Sequence, residues 1–215
     1  MTIDQPARVS ADGMTALGAQ IFAKAGASQD EALAISANLV NSNLSGHDSH
    51  GVVRIPRYLM WESTDNLKFG QHADIITDGD AFAIIDGNKG FGQVVGKQAV
   101  DIGIEKAKQN GLAIIALRRA GHLGRIGRWA EEACAAGLVS IHFVNVSQSN
   151  LVAPFGAADR RISTAPVTIG VPNPGGDDFV LDFATSKVAE GKVIDRKSTR
   201  LNSSHPVLSR MPSSA

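Results

Sequence analysis

The sequence has almost no cysteine and no long apolar run. Its 215 residues contain one cysteine, Cys134, which excludes an internal disulfide and a zinc site made of several cysteines. No apolar run approaches the roughly 20 residues that a membrane-spanning helix needs. Residues 1–10 also lack the apolar segment of a secretory signal peptide. We therefore expect a cytoplasmic protein that does not span a membrane.

The charges balance, and one familiar nucleotide-binding pattern is absent. The chain has 21 basic and 21 acidic residues, a formal net charge of +0 at pH 7. Without an excess of positive charge it has no general attraction to nucleic acid or to an anionic membrane, and we predict neither partner. The fingerprint GxGxxG does not occur, so the phosphate loop of the Rossmann dehydrogenases is not expected.

Hydrophobic periodicity predicts an α/β fold. Apolar residues at helical spacing predict helices between Ser10 and Gly26, from Ser28 to Asn43, around Val52–Leu59, and at Gln93–Asn110 and Gly127–Ala136. Short apolar runs predict strands at Ala81–Ile85, Leu112–Leu117, Leu138–Val146, Thr168–Val171 and Phe179–Phe183, of which we expect Leu112–Leu117 to be buried. Because strands alternate with helices, crossover connections should join the strands of a sheet.

Composition divides the chain into three segments. We expect a helical N-terminal segment at 1–72 and an α/β domain at 73–193. From Asp195 the sequence DRKSTRLNSSHPVLSRMPSSA has no amphipathic period, and it resembles the translation of a sequencing-library adapter interrupted by a short index. We therefore predict that residues 194–215 are an artefact without fixed structure. The natural chain would then continue differently after Val193, and this polypeptide would be an inactive fragment.

The densest polar cluster is SGHDSHG at 45–51, followed by Arg54 and Tyr58. If a helix starts near Gly51, then His50, Arg54 and Tyr58 stand four residues apart and project from one face. An arginine binds a carboxylate through two parallel hydrogen bonds, and a histidine exchanges protons near neutral pH. This stripe favours a site for a 2-oxo or 2-hydroxy acid.

The same cluster has two other interpretations. In the first, His47 or His50 only caps backbone groups at the polar start of a helix. In the second, His47, Asp48 and His50 bind a metal ion, as in a metal-dependent hydrolase. We predict no metal, although the spacing by itself leaves all three interpretations open.

Two further clusters lie where a predicted strand ends. GHLGRIGRW at 121–129 joins a strand to a helix, where α/β proteins place binding groups, although an ordinary turn has the same composition. Asp182, Thr185 and Ser186 would contact ribose hydroxyls or phosphate, or would cap a helix instead. Cys134 lies among alanines and is expected to be a buried apolar residue.

Together, several segments resemble the malate/L-lactate dehydrogenase type 2 family over residues 10–193. They are SGHDSHGVVRIPRYL, DGNKGFGQVVG, GHLGRIGRWAE, NLVAPFG and LDFATSKVAEGKV. The resemblance implies an enzyme that interconverts 2-oxo and 2-hydroxy acids with NAD or NADP. It also implies a homodimer and a non-Rossmann, mixed-sheet NAD(P)-binding fold, incomplete here at its C-terminus, with residues 1–72 on the substrate side. A binding domain without catalytic activity on the same scaffold is the alternative.

The resemblance also assigns roles to residues. His50 and His122 are implied to be the acid/base pair, in which one exchanges a proton with the substrate oxygen and the other polarises it. Arg54 is implied to bind the substrate carboxylate, with Tyr58 beside it. The implied cofactor contacts are Ser147, Asp182, Ala184, Thr185 and Ser186. One departure is Thr164-Ala165-Pro166, where many members have Thr-Asn-Pro.

Overall fold

The computed structural model describes residues 8–146 and 151–186. The helices are α1 Ala11–Lys24, α2 Gln29–Leu44, α3 Ile55–Ser63, α4 Gly92–Asn110 and α5 Gly127–Ala135, with short 3-10 turns at Asp48–His50 and Val52–Arg54. The strands are β1 Asp74–Asp78, β2 Phe82–Asp86, β3 Ile114–Arg118, β4 Ser140–Phe143, β5 Pro166–Val171 and β6 Phe179–Ala184. Ser147 and the predicted artefact at 194–215 lie outside the described residues.

The first two helices each begin directly after a serine. Ser10 Oγ accepts a hydrogen bond from the Gly13 N–H and Ser28 Oγ accepts one from the Glu31 N–H, so each serine satisfies a donor that the helix leaves unpaired. Both helices contribute to one apolar core, where Phe22 is fully buried. Local capping chemistry therefore fixes where α1 and α2 start.

The third helix starts later than predicted. Gly51 is extended, with φ −86° and ψ −155°, and the helix begins at Ile55. His50 and Arg54 therefore lie in two separate 3-10 turns that precede α3. The predicted stripe of His50, Arg54 and Tyr58 on one continuous helix is wrong, because the extended glycine interrupts the helical period.

The first sheet has the order β1-β2-β3 and is mixed. Strands β2 and β3 are parallel, with Phe82 opposite Ile114, and α4 forms the predicted crossover between them. Gly111 ends α4 with φ +82°, a conformation that costs glycine little. Strand β1 pairs antiparallel with β2 and was not predicted, because all five of its residues are exposed and show no alternation.

The second sheet has the order β4-β5-β6, and its first two strands are antiparallel. Strand β4 is shorter than the predicted Leu138–Val146. Helix α5 packs so tightly on β5 that a Cβ on Gly170 would lie 3.0 Å from Ala130 Cβ and from Cys134 Sγ. Cys134 is buried, as expected.

Several strands carry exposed apolar side chains. The prediction that Leu112–Leu117 is a buried strand is wrong, because Ile114 in β3 is 68% exposed and Leu112 also faces solvent. Large exposed side chains on the other strands are Phe82, Ile141, Phe143, Phe179 and Phe183. Apolar runs of this length are typical of strands covered on both faces, and the described residues cover only one.

The contacts divide the chain into two units. Of the described residues, the first contains 8–144 and 166–183, and the second contains 145–146, 151–165 and 184–186. The histidines, arginine and tyrosine of the predicted site all belong to the first unit. The boundary predicted between residues 72 and 73 stays a prediction. Within the described segments, no helix is both long enough and apolar enough to cross a bilayer.

Candidate active site

Two histidines from distant parts of the chain stack on each other. The rings of His50 and His122 have centroids 5.3 Å apart and planes 20° apart. His50 lies in the 3-10 turn before Gly51, and its Nδ1 is 3.1 Å from Ser49 Oγ. His122 lies in the loop between β3 and α5, which the sequence predicted to carry binding groups. The structure thus brings both predicted acid/base residues together.

A third side chain, the buried Tyr58, contacts one of the two histidines. Its side chain is 0% exposed, and its hydroxyl lies 2.8 Å from His122 Nδ1. The hydroxyl also accepts a hydrogen bond of 2.9 Å from the Gln93 side-chain amide. Tyr58 was expected beside the substrate; in this structure its hydroxyl contacts His122, and its place beside a substrate stays a prediction.

A glycine allows α4 to approach His122 closely. A Cβ on Gly92, the first residue of α4, would lie 2.4 Å from the His122 carbonyl oxygen and 2.8 Å from that of Gly121. Real Cβ atoms do not approach backbone atoms so closely. The glycine of the segment GFGQ therefore lets the start of α4, with Gln93, pack directly on the histidine loop.

Arg54 places a positive charge beside these rings. The residue is only 7% exposed, and its Nε donates a 2.6 Å hydrogen bond to the Ser49 carbonyl oxygen. This bond ties the guanidinium to the turn that carries His50. The positive charge adds to desolvation in lowering the pKa values of His50 and His122, and it opposes the rise that burial causes in the pKa of Tyr58.

Burial keeps both histidines neutral. Desolvation, together with the charges of Arg54 and His47, lowers the pKa of His50 from 6.5 to about 4, although Asp182 opposes the shift. Desolvation and the Arg54 charge also lower the pKa of His122 well below its ordinary value. Desolvation raises the pKa of Tyr58 to about 12. At neutral pH the site therefore holds two uncharged imidazoles and an uncharged phenol.

Asp182 caps a helix. Its Oδ2 accepts a 2.7 Å hydrogen bond from the N–H of Gly127, the first residue of α5, and its Oδ1 accepts one of 2.7 Å from the Thr168 hydroxyl. A carboxylate at a helix N-terminus is favourable because the exposed N–H groups carry partial positive charge. Of the two alternatives that the sequence left open for Asp182, the structure shows the capping contact.

Three of the remaining predicted cofactor residues lie at the end of β6 or directly after it. The Thr185 hydroxyl donates to the carbonyl oxygens of Thr164 and Ala165 at 3.2 and 3.0 Å. Ala165 has φ +36°, a left-handed conformation that asparagine tolerates better than alanine. The Thr-Ala-Pro departure noted in the sequence therefore falls where the backbone itself favours asparagine. Ala184 and Ser186 lie beside Thr185 in the chain, and Ser147 is outside the described residues.

The described residues contain no metal centre of the kind that His47, Asp48 and His50 would form. Between residues 8 and 146 and between 151 and 186, no three His, Cys, Asp or Glu side chains are arranged to hold a metal ion. Asp48 instead accepts a 2.6 Å hydrogen bond from the Asn43 amide. The metal-dependent hydrolase therefore has no support from this geometry.

Sequence reasoning missed Gln93. Its amide is hydrogen-bonded to Tyr58 and to the His122 carbonyl oxygen, residues that lie 35 and 29 positions away in the chain. Its place in GFGQ, beside the glycine that permits close packing, is the one signal that marks it. A glutamine within a helical pattern otherwise indicates only an exposed polar position.

Comparisons with known proteins relate this chain to a family of dehydrogenases. The sequence model described as malate/L-lactate dehydrogenase matches residues 9–204, a match that extends past Ile194. Hydroxycarboxylate dehydrogenase B of Escherichia coli O157:H7 is 43% identical over 172 residues, which are 80% of this chain and 48% of that protein. Malate dehydrogenase of Pyrococcus abyssi is 35% identical over 186 residues, 86% of this chain and 51% of that protein.

A solved structure gives the same result for the fold. Malate dehydrogenase from Pyrococcus horikoshii OT3 superposes with a TM-score of 0.82 at 34% identity, covering 87% of this chain and 53% of that chain. The chain spans about half the length of the curated relatives that it matches. Both the family match and the fold lead to one conclusion: the chain belongs to the malate/L-lactate dehydrogenase family.

Proposed function

We propose that the whole protein interconverts a 2-oxo acid and the corresponding 2-hydroxy acid, with NAD or NADP as the hydride carrier. The observation that carries this proposal is the half-buried, stacked pair of His50 and His122 beside the Arg54 guanidinium, with both pKa values lowered by desolvation. Two relatives named hydroxycarboxylate dehydrogenase B and malate dehydrogenase support the same class of substrate. Reduction consumes one proton and one hydride, and oxidation returns both.

The side chains of the site have different roles in this reaction. Arg54 binds the substrate carboxylate, because a guanidinium matches the two carboxylate oxygens with parallel N–H donors. Of His50 and His122, one exchanges the proton with the substrate oxygen and the other polarises it. Their neutrality suits both tasks, because a neutral imidazole has one N–H donor and one nitrogen that accepts a proton. Burial strengthens each of these interactions by excluding water.

The residues in the last part of β6 and directly after it fit the cofactor in part. A bound nicotinamide would supply or accept the hydride. The Thr185 hydroxyl shares its one proton between two carbonyl oxygens, and its oxygen keeps lone pairs that would accept from a ribose hydroxyl. Each Asp182 oxygen already accepts one hydrogen bond, so a contact with cofactor would share this carboxylate with α5. By resemblance we assign the other contacts to Ser147, Ala184 and Ser186.

We also propose a cytoplasmic homodimer, by resemblance to the family. Size-exclusion chromatography with light scattering measures the mass of the whole protein in solution. A mass of two chains supports this assignment, and a mass of one chain contradicts it.

The activity is tested on the protein that the source gene encodes. Sequencing that gene across codon 193 gives the reading frame. The purified product is then assayed for loss of nicotinamide absorbance with a panel of 2-oxo acids and either NADH or NADPH. Turnover with a 2-oxo acid supports the proposal. Binding of the acid without turnover would indicate the non-catalytic binding domain, and activity abolished by a chelator would indicate metal chemistry.

Variants test the roles of the residues. We expect Arg54→Lys to raise KM for the acid by about 10- to 100-fold, because a lysine cannot form the bidentate pair. We expect His50→Gln and His122→Gln each to lower kcat by at least about 100-fold. His72→Gln is the matched control, since His72 is exposed and bonded to Gln98 outside the site. Wild-type turnover in both active-site histidine variants would refute the assignment.

A further inference from the structure

The orientation of the Gln93 amide is fixed by a group that can only accept. Gln93 is the second residue of α4 and is 4% exposed. Its side-chain nitrogen lies 3.3 Å from the His122 carbonyl oxygen and 2.9 Å from Tyr58 Oη. A backbone carbonyl has no proton to donate, so the NH₂ end of the amide faces both partners. The opposite orientation would place two acceptor oxygens against each other.

This orientation decides where the proton of Tyr58 goes. The Tyr58 oxygen accepts from Gln93, and its single proton remains for its other neighbour, His122 Nδ1, at 2.8 Å. The backbone N–H of Gly124, which can only donate, also points at this Nδ1 from 3.3 Å. Two donors therefore converge on one ring nitrogen, and that nitrogen must be unprotonated.

A neutral imidazole with an unprotonated Nδ1 carries its proton on Nε2. We propose that Gln93 is a positioning residue that, through Tyr58, holds His122 in the Nε2–H tautomer. Resting on the proposed function, the use of this tautomer is to present an N–H donor to the carbonyl or alkoxide oxygen of the substrate. The opposite tautomer would present a lone pair to that oxygen and repel it.

Packing alone does not account for a glutamine here. The Gln93 Oε1 is buried and has no hydrogen-bond partner among the described residues. An unsatisfied buried carbonyl lowers stability, and an apolar side chain of similar length would avoid that loss. What the amide provides is the donation to Tyr58 and to the His122 carbonyl, which agrees with a role in setting the direction of the hydrogen bonds.

Nitrogen NMR of the histidine ring reads the tautomer directly. The full 215-residue chain is labelled with ¹⁵N-histidine and studied above the ordinary histidine pKa, with His122 assigned by its loss in His122→Gln. We expect wild type to show a protonated Nε2 and an unprotonated Nδ1. In Gln93→Glu the carboxylate accepts from Tyr58, so we expect the His122 proton to move to Nδ1. Gln98→Met, on the same helix, should leave the tautomer unchanged.

Each result decides the proposal. A protonated Nδ1 in wild type, or an unchanged tautomer in folded Gln93→Glu, overturns it. If Gln93→Glu does not fold, Gln93→Met is measured instead. Without the Gln93 donor only the long 3.3 Å contact from the Gly124 N–H still favours an unprotonated Nδ1, so we expect a mixture of tautomers, and a single Nε2–H form refutes the role. In the whole enzyme we expect Gln93→Met to lower kcat about 100-fold with little change in KM. Because the NMR reading needs no activity, failure of the proposed function and failure of this inference remain distinguishable.

Discussion

Replacing Tyr58 by phenylalanine removes one atom from the centre of the hydrogen-bond chain. Tyr58 is fully buried, and its ring stacks on Trp61 and meets the edge of Phe91 with centroids 5.9 and 5.8 Å away. Phenylalanine keeps those contacts and leaves no large cavity. The change therefore isolates the hydroxyl, which donates to His122 and accepts from Gln93.

The expected cost follows from what the two partners lose. A buried polar group left without a hydrogen bond costs about 1–3 kcal/mol. Gln93 keeps its bond to the His122 carbonyl and His122 Nδ1 keeps the Gly124 N–H, but both contacts are 3.3 Å long. Because each partner keeps a weaker contact, we expect a loss of about 2 kcal/mol in the free energy of unfolding rather than the sum of two full penalties.

Urea denaturation of the 215-residue chain measures this loss. With an m-value of about 2 kcal/mol/M, the midpoint should fall by about 1 M. In the double variant with Gln93→Met, the two losses should be non-additive by about 1 kcal/mol, because both changes break the same bond. Thr64→Val, which removes an exposed hydroxyl, is the control and should change stability by less than about 0.5 kcal/mol. A loss below about 0.5 kcal/mol for Tyr58→Phe, with additive effects, would refute the reasoning.

Three further predictions concern pH, close packing and backbone strain. The pKa of His50 is about 4 in the folded chain and 6.5 by default, so the unfolded chain binds more protons between these values. The free energy of unfolding should therefore fall as pH is lowered through this window. Urea titrations at pH 7 and pH 5 should show a smaller fall for His50→Gln than for wild type. Equal falls in the two proteins would contradict this. Gly92→Ala should destabilise by about 1–3 kcal/mol in the same assay, because its Cβ meets the backbone of the histidine loop. Gly103→Ala, on the same helix, meets the Ile115 side chain and no backbone atom, and it should stay within about 1 kcal/mol. Ala165→Asn should raise stability by about 0.5–1 kcal/mol, because φ is +36° there, and Ala165→Val should lower it; a gain with valine would exclude strain at this position.

Features that depend on neighbouring residues could be predicted from the sequence. The caps at Ser10 and Ser28 join atoms three residues apart, and Gly111 ends α4 through its own φ. The crossover from β2 to β3 follows from the order of elements, since parallel strands need a connecting helix. The resemblance to a family added His50, Arg54 and His122 as candidates, because their residue types stand in recognisable motifs.

Predictions that relied on local period alone went wrong where tertiary contacts override it. The stripe at four-residue spacing required a helix from Gly51, but that glycine is extended. The Val52 N–H is instead accepted by the side chain of Asn43, nine positions before Val52. Strand β1 was not predicted, because an edge strand with exposed residues has no hydrophobic alternation. In both cases the deciding partner lies elsewhere in the chain.

The sequence by itself determined where α1 and α2 start, where α4 ends, the α/β alternation and the residue types available for acid–base chemistry. Only the tertiary structure decided which atoms meet. Tyr58 and His122 are 64 positions apart, and Asp182 caps a helix that begins 55 positions earlier. The reason is physical: a cap or a helical turn forms between atoms that the chain already holds close, whereas a hydrogen bond between distant segments forms only where packing of the core brings its donor and acceptor together.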